Sequence, residues 1–266
     1  MNLAIRDFRN NFKSFIYWII AISLLIGLLV LAYPVAIDKM DNLGDVINSM
    51  PKEIIAAFGL ENYDWKQVLN YLAYEFQYIF LACAIFGATL GASIFSKEES
   101  NKTIELVYSK PITRNHIFMS KVLVSTMILI LFNLLLFSIT YVSLKVAITD
   151  QFIDVYKVFN MYTAMFLIQL IFMSIGTFIA VIMKKPKPAS GIASGLVIFT
   201  YLLGMFSNIT EEMKNLVYIS PLHYFLPDQI IRTGVFETKY LIITAGLTVV
   251  SLLIAWRVYN RKDFNI

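Results

Sequence analysis

The sequence predicts an all-α integral membrane protein with six transmembrane helices, and three observations carry that class. Of the 266 residues 58% are hydrophobic and 15% charged, with a mean hydropathy of +0.69, which leaves too little polar surface for a water-solvated domain. The apolar residues arrive in blocks of about 17 to 26, long enough for helices to cross a ~30 Å hydrocarbon core and unlike the short alternating runs of an outer-membrane barrel. The lone Cys83 excludes an internal disulfide, and two histidines beside one thiol argue against redox or zinc chemistry.

In chain order, residues 3–14 lead into the first span with Ile5, Phe8, Phe12 and then Phe15 at helical spacing, and Arg6, Arg9 and Lys13 on other faces. This pattern predicts an N-terminal amphipathic elbow helix in the membrane interface, the alternative being a polar start anchored by its cations. The first apolar run, 15–37, is too long for a signal-peptide core and has Tyr33-Pro34 in place of a small-residue cleavage site. It is therefore expected to be retained, with the chain starting at Met1. In the long loop that follows, Ser49 can cap, Pro51 suits a first turn, Ile54, Ile55 and Phe58 make one stripe, and Gly59 ends it, predicting a short interfacial helix. The remaining runs are 76–96, 122–144, 158–183, 189–206 and 240–256.

Six spans return both termini to one side, and charge chooses the side. The N-terminal segment, the second-to-third and fourth-to-fifth connections and the tail hold 14 of the 22 lysines and arginines but 5 of the 18 acidic residues. By the positive-inside rule that face, and both termini, are cytoplasmic in a multi-pass protein of the cell membrane. The basic balance is thus a topology signal with anionic membrane lipid as partner, and gives no reason to invoke nucleic acid.

The connection 97–121 is too polar for lipid, yet reads as two short helices. The first, 97–107, is charged with Ile104 and Val107 as an apolar edge. Pro111 breaks it, and Thr113 caps a new helix that carries Arg114, His116 and Lys121 into the third span. A plain connector needs only a few residues, so this one is read as a docking surface for a cytoplasmic partner, against a solvated loop.

Inside the spans, Gly87 and Gly91 of the second and Gly191 and Gly195 of the fifth are small residues four apart, suited to close helix approach either within the chain or across a dimer. Asn133 and Gln169 lie near the middle of the third and fourth spans, where an amide in hydrocarbon wants a partner; each can supply the other, or both can meet substrate. No ionisable residue lies near the centre of any span, which argues against an ion-coupled carrier. Tyr63, Trp65, Tyr71, Tyr74 and Tyr78 gather as an aromatic belt at the outer end of the second span. His223, with no acidic or thiol neighbour at ligand spacing, reads as a packing residue.

Three stretches resemble the permeases of type-2 ATP-binding-cassette exporters: Glu98-Glu99-Ser100-Asn101-Lys102-Thr103-Ile104-Glu105 through Arg114 with Lys121, Met50-Pro51-Lys52-Glu53-Ile54 through Gly59, and Ser220-Pro221-Leu222-His223-Tyr224 through Pro227. The resemblance implies that 97–117 is a cytoplasmic coupling helix segment on which a separate nucleotide-binding ATPase docks, through Glu98, Glu99, Thr103, Ile104, Glu105, Val107, Pro111 and Arg114. It further implies that two permease copies form the pathway, with the second and fifth spans meeting across the dimer. The sequence has no Gly-x-x-x-x-Gly-Lys-Ser/Thr phosphate loop, so ATP and its Mg belong to the partner and this chain holds no cofactor and is not itself an enzyme. The expectation is a permease subunit exporting a hydrophobic or amphipathic substrate such as a peptide antibiotic, drug or lipid-linked molecule. A membrane anchor or sensor that recruits a cytoplasmic protein is the alternative, and a secondary transporter the third.

Overall fold

The computed structural model describes residues 3–37, 49–58, 65–101, 112–185 and 187–262. Thr103, Ile104, Glu105, Val107 and Pro111, and with them the expected coupling helix, lie outside the described residues, as does Tyr63. The elements are α1 (Leu3–Ile37), α2 (Lys52–Phe58), α3 (Val68–Ser100), α4 (Arg114–Ala147), α5 (Val155–Ile182), α6 (Ala189–Ser207), α7 (Pro227–Thr233) and α8 (Thr238–Arg261), with 3-10 turns at Glu211–Ile219 and Pro221–His223. Six of these, all but α2 and α7, are long and apolar enough to cross a membrane. The protein is all-α, as its sequence predicts.

Most helices extend past their apolar runs, and two of them start at a side-chain cap. The Thr113 hydroxyl accepts from the His116 N–H at 3.3 Å, and the Asp154 carboxylate accepts from the Tyr156 N–H at 2.9 Å, each satisfying a donor that the helix itself leaves open. At α3 the cap comes from another part of the chain, since the Gln151 Oε1 accepts from the Val68 N–H at 3.0 Å. The same Gln151 donates to the Tyr33 hydroxyl at 2.8 Å and to the Lys66 carbonyl at 3.0 Å. One amide therefore joins α1, α3 and the start of α5 at the end of the bundle away from the termini. Short α7 stops at Gly234, whose φ of 67° is comfortable only without a Cβ. Residues 3–14 are helical and run without a break into the first span.

The bundle is organised around α3 and α5. In its most apolar stretch 72% of α3 is buried and 61% of α5, against 22% of α1 and 11% of α8. Their contact is backbone on backbone: a Cβ added at Gly91 would lie 2.0 Å from the Met173 carbonyl oxygen, one at Gly176 2.2 Å from that of Ala88, and one at Gly87 2.8 Å from that of Gln169. Without a hydrophobic drive inside lipid, such close approach is what gives dispersion and polar contacts their purchase. α4 and α1 close one side through an aromatic chain in which Phe86 and Phe132 rings sit 4.5 Å apart and Phe15 lies 6.2 Å from Phe132. α6 and α8 pack at the margin, and α8 buries only Tyr240, Thr244, Ala255 and Tyr259.

Candidate functional site at the termini end of the bundle

Residues 98 and 99 are consecutive on α3, about 100° apart around the helix axis, so their carboxylates reach different neighbours. Glu98 meets Arg6 of α1 and, at 2.9 Å, the Lys121 ammonium of α4. Lys121 is 1% exposed; it also donates to the Ile94 carbonyl at 2.6 Å and stands 5.5 Å from the Phe95 ring. Arg6 pairs with the adjacent Asp7 at 3.1 Å, and Asn11 donates to the Asp7 carbonyl at 2.8 Å. Two cations and two carboxylates thus form one neutral, mostly buried knot joining α1, α3 and α4. Losing one member of such a knot strands a buried charge, which is why the set is held together more tightly than a surface pair.

Glu99 turns the other way and takes Lys262, just past α8, at 2.8 Å, while Lys262 also donates to the Met183 carbonyl at 3.0 Å. From the start of α4, Arg114 donates to the Asn260 and Lys262 carbonyls at 3.1 and 2.8 Å. The Trp256 indole N–H adds a bond of 2.7 Å to Asn115. Both roots of the second-to-third connection are therefore fastened, one to the first helix and one to the end of the last. Of the residues expected to dock a partner, Glu98, Glu99 and Arg114 are engaged within the chain, and the other five lie outside the described residues.

The amides of α4 and α5 meet in the bundle interior. Asn133 donates to the Gln169 Oε1 at 2.6 Å and to the Leu129 carbonyl at 2.7 Å, and Gln169 donates to the Cys83 carbonyl at 3.3 Å. This chain of bonds ties α4, α5 and α3 at mid-depth. The Asn133 Oδ1 is buried and has no partner among the described residues. The small residues separate into two kinds. Gly87 and Gly91 are filled by α5, while an added Cβ at Gly191 or Gly195 meets nothing within 4 Å. The sequence left both readings open, and the fold realises packing within the chain for the first pair.

At the far end, the 3-10 turns, α6 and α7 surround a cavity of 620 Å³ bordered by Asn208, Lys214, His223, Asp228, Arg232 and Tyr240. His223 is buried with its Nδ1 2.9 Å from the Ser220 hydroxyl, and burial pushes the imidazole down to about 4. Burial raises the Asp228 carboxyl, opposed by Arg232. Of the aromatic belt, Trp65 stacks edge-on against Tyr74 at 5.1 Å and Tyr74 reaches the Tyr78 hydroxyl at 3.3 Å, but Tyr71 is buried against Tyr33 and serves the core.

The sequence missed the Arg6–Glu98–Lys121 knot because each cation reads as an ordinary member of the positive-inside set. The available signal was Asp7 with Asn11 one turn on, two polar residues on a single face of an otherwise basic, apolar segment.

Six apolar helices packed about a glycine-notched pair, with the longest terminal-side connection clamped at both roots, define a polytopic helical membrane protein. The sequence matches the ABC-2 family of transporter proteins over residues 1–264, and the chain belongs to that family, whose permeases work with a cytoplasmic ATPase subunit. No curated protein matches the chain.

Proposed function

We propose that the chain is the permease subunit of an exporter for a hydrophobic or amphipathic substrate, such as a peptide antibiotic, drug or lipid-linked molecule. A separate ATPase docks on 97–117 and supplies the nucleotide and Mg sites, a second permease copy completes the pathway, and both termini face the cytoplasm of the cell. The observation that carries this reading is the double clamp: at the α3 root Glu98 is held by Arg6 and Lys121 and Glu99 by Lys262, and at the α4 root Arg114 is held by the Asn260 and Lys262 carbonyls. A connection fastened at both roots passes a push to α1, α4 and α8 as a rigid-body shift, where a loose loop would absorb it. Because Glu98, Glu99 and Arg114 serve the clamp, Glu105 becomes the polar docking contact, with Ile104 and Val107 as the apolar seat.

The test separates the two roles. Glu105→Lys leaves the chain inserted and stable but abolishes co-purification with the ATPase and substrate-stimulated ATP hydrolysis. Glu98→Leu instead lowers the stability of the chain itself by about 3 kcal/mol, since it strands Lys121. Normal complex formation and transport by a Glu105→Lys, Arg114→Glu double variant assigns those charges to a solvated face and contradicts docking at Glu105.

A further inference from the structure

The clamp engages Glu98, Glu99, Arg114 and Lys121, and a second group of cations gathers at the same end outside it. Between the last turns of α5 and α8 lies a cavity of 610 Å³ whose charged lining is Glu99, Lys184, Arg257, Arg261 and Lys262. Glu99 and Lys262 neutralise one another at 2.8 Å. Lys184, Arg257 and Arg261 remain as three positive charges in one concavity with no ion-pair partner among the described residues. Like charges so gathered repel one another, and an anion in the concavity relieves that repulsion.

The rest of the lining says which kind of anion. Val181, Ile182 and Val258 form the apolar part of the wall, and Ile182 is 51% exposed. Along α8 the surface continues as Ile254, Leu253 and Val250, each 43% exposed or more. A soluble phosphate has no use for that apolar strip. A phospholipid has both halves: a headgroup phosphate for the guanidinium forks, which take phosphate oxygens in pairs, and acyl chains for the exposed aliphatic strip.

We propose that this cavity is a binding site for an anionic phospholipid, its phosphate held by Lys184, Arg257 and Arg261 and its chains laid along α8 from Ile254 towards Val250. The site gives a place to the anionic lipid that the charge asymmetry of the sequence calls for as a partner. It does not depend on which leaflet the termini face, because binding is read on the purified chain. An acidic protein surface would answer the charges but leave the apolar wall unpaired.

The experiment titrates phosphatidylglycerol, phosphatidylcholine or glycerol 1-phosphate into the delipidated full chain in mild detergent and counts adducts by native mass spectrometry. Phosphatidylglycerol binds saturably, and phosphatidylcholine at least tenfold more weakly. Arg257→Gln and Arg261→Gln each weaken phosphatidylglycerol about fivefold, the equivalent of ~1 kcal/mol per cation near the surface, and the triple variant with Lys184→Gln on the order of a hundredfold. Arg257→Lys, Arg261→Lys keeps most of the binding, which separates lost charge from lost fold. Lys187→Gln, the same charge change in the same connection but outside the cavity lining, leaves binding unchanged. The proposal is overturned if phosphatidylcholine binds equally, if the triple variant still binds, or if Lys187→Gln costs as much as Arg261→Gln. It is overturned too if glycerol 1-phosphate displaces the lipid at equal concentration, which makes the site one for soluble anions. If the triple variant keeps its lipid but loses the ATPase, the cations belong to an acidic protein surface.

Discussion

The second and fifth spans each carry two glycines four residues apart, and the fold treats the pairs oppositely. At Gly87 and Gly91 the backbone of α5 occupies the space a side chain would need. At Gly191 and Gly195 that space is open, on a helix whose large residues Ile192, Ile198, Phe199 and Leu202 are also exposed. The spacing alone prepares a face for close approach, and what decides its use is a complementary face opposite. α5 offers one, because Gly176 lets its own backbone meet Ala88, so a notch on each helix receives the other. Among the described residues nothing answers Gly191 and Gly195, which is the ground for proposing that the second permease copy does.

The largest effect that can break this comparison is at Gly91. Alanine there brings its Cβ against the Met173 carbonyl, main chain that cannot swing aside, so Gly91→Ala costs upward of ~3 kcal/mol and sharply lowers the yield of folded chain from membranes. Stability and yield within error of the parent contradict the α3–α5 packing. α6 itself holds a closed glycine for contrast, since a Cβ at Gly204 would lie 2.0 Å from His223 Nδ1.

The burial of His223 gives a pH dependence. The native His223 stays neutral down to about 4, whereas the unfolded imidazole takes a proton near 6.5. As pH falls from about 6.5 towards 4 the unfolded state gains the proton first, and stability drops by up to about 3 kcal/mol. It is fully present above that window, and Asp228, whose carboxyl burial raises, bends the curve the opposite way. Thermal unfolding across pH 4 to 7 measures the slope, and His223→Gln flattens it; an unchanged slope in that variant assigns the titration elsewhere.

Smaller again is the amide pair. Asn133→Leu and Gln169→Leu each destabilise the detergent-solubilised chain, and the double variant costs less than their sum by about 0.6 kcal/mol. Strict additivity would mean that the 2.6 Å bond contributes nothing in solution.

Most of the fold was legible in the sequence because hydrocarbon imposes a length and a polarity on each helix, and six blocks of the right length met that demand. The amide bond was legible for the same reason, since two hydrogen-bonding groups at one depth in lipid have few other partners. The Gln151 knot and the Glu98 cluster were not, because both join residues far apart in sequence whose types suit exposed interfacial positions equally well. Arg6 and Lys121 could each be counted towards topology without a hint that they converge on one carboxylate. The glycine pairs fall between, as their faces were readable and their partners were not.

The proposal that two copies meet on α6 is tested most directly by cross-linking in native membranes. In a Cys83→Ala background, Gly195→Cys is predicted to give a dimer of twice the chain's mass with a short bifunctional maleimide, while Leu134→Cys on the exposed face of α4 stays monomeric. Gly195→Ala, which meets nothing within its own chain, should leave monomer stability within about 0.5 kcal/mol of the parent, so that a lost dimer is not a lost fold. A dimer through Leu134→Cys with none through Gly195→Cys or Gly191→Cys would contradict the account.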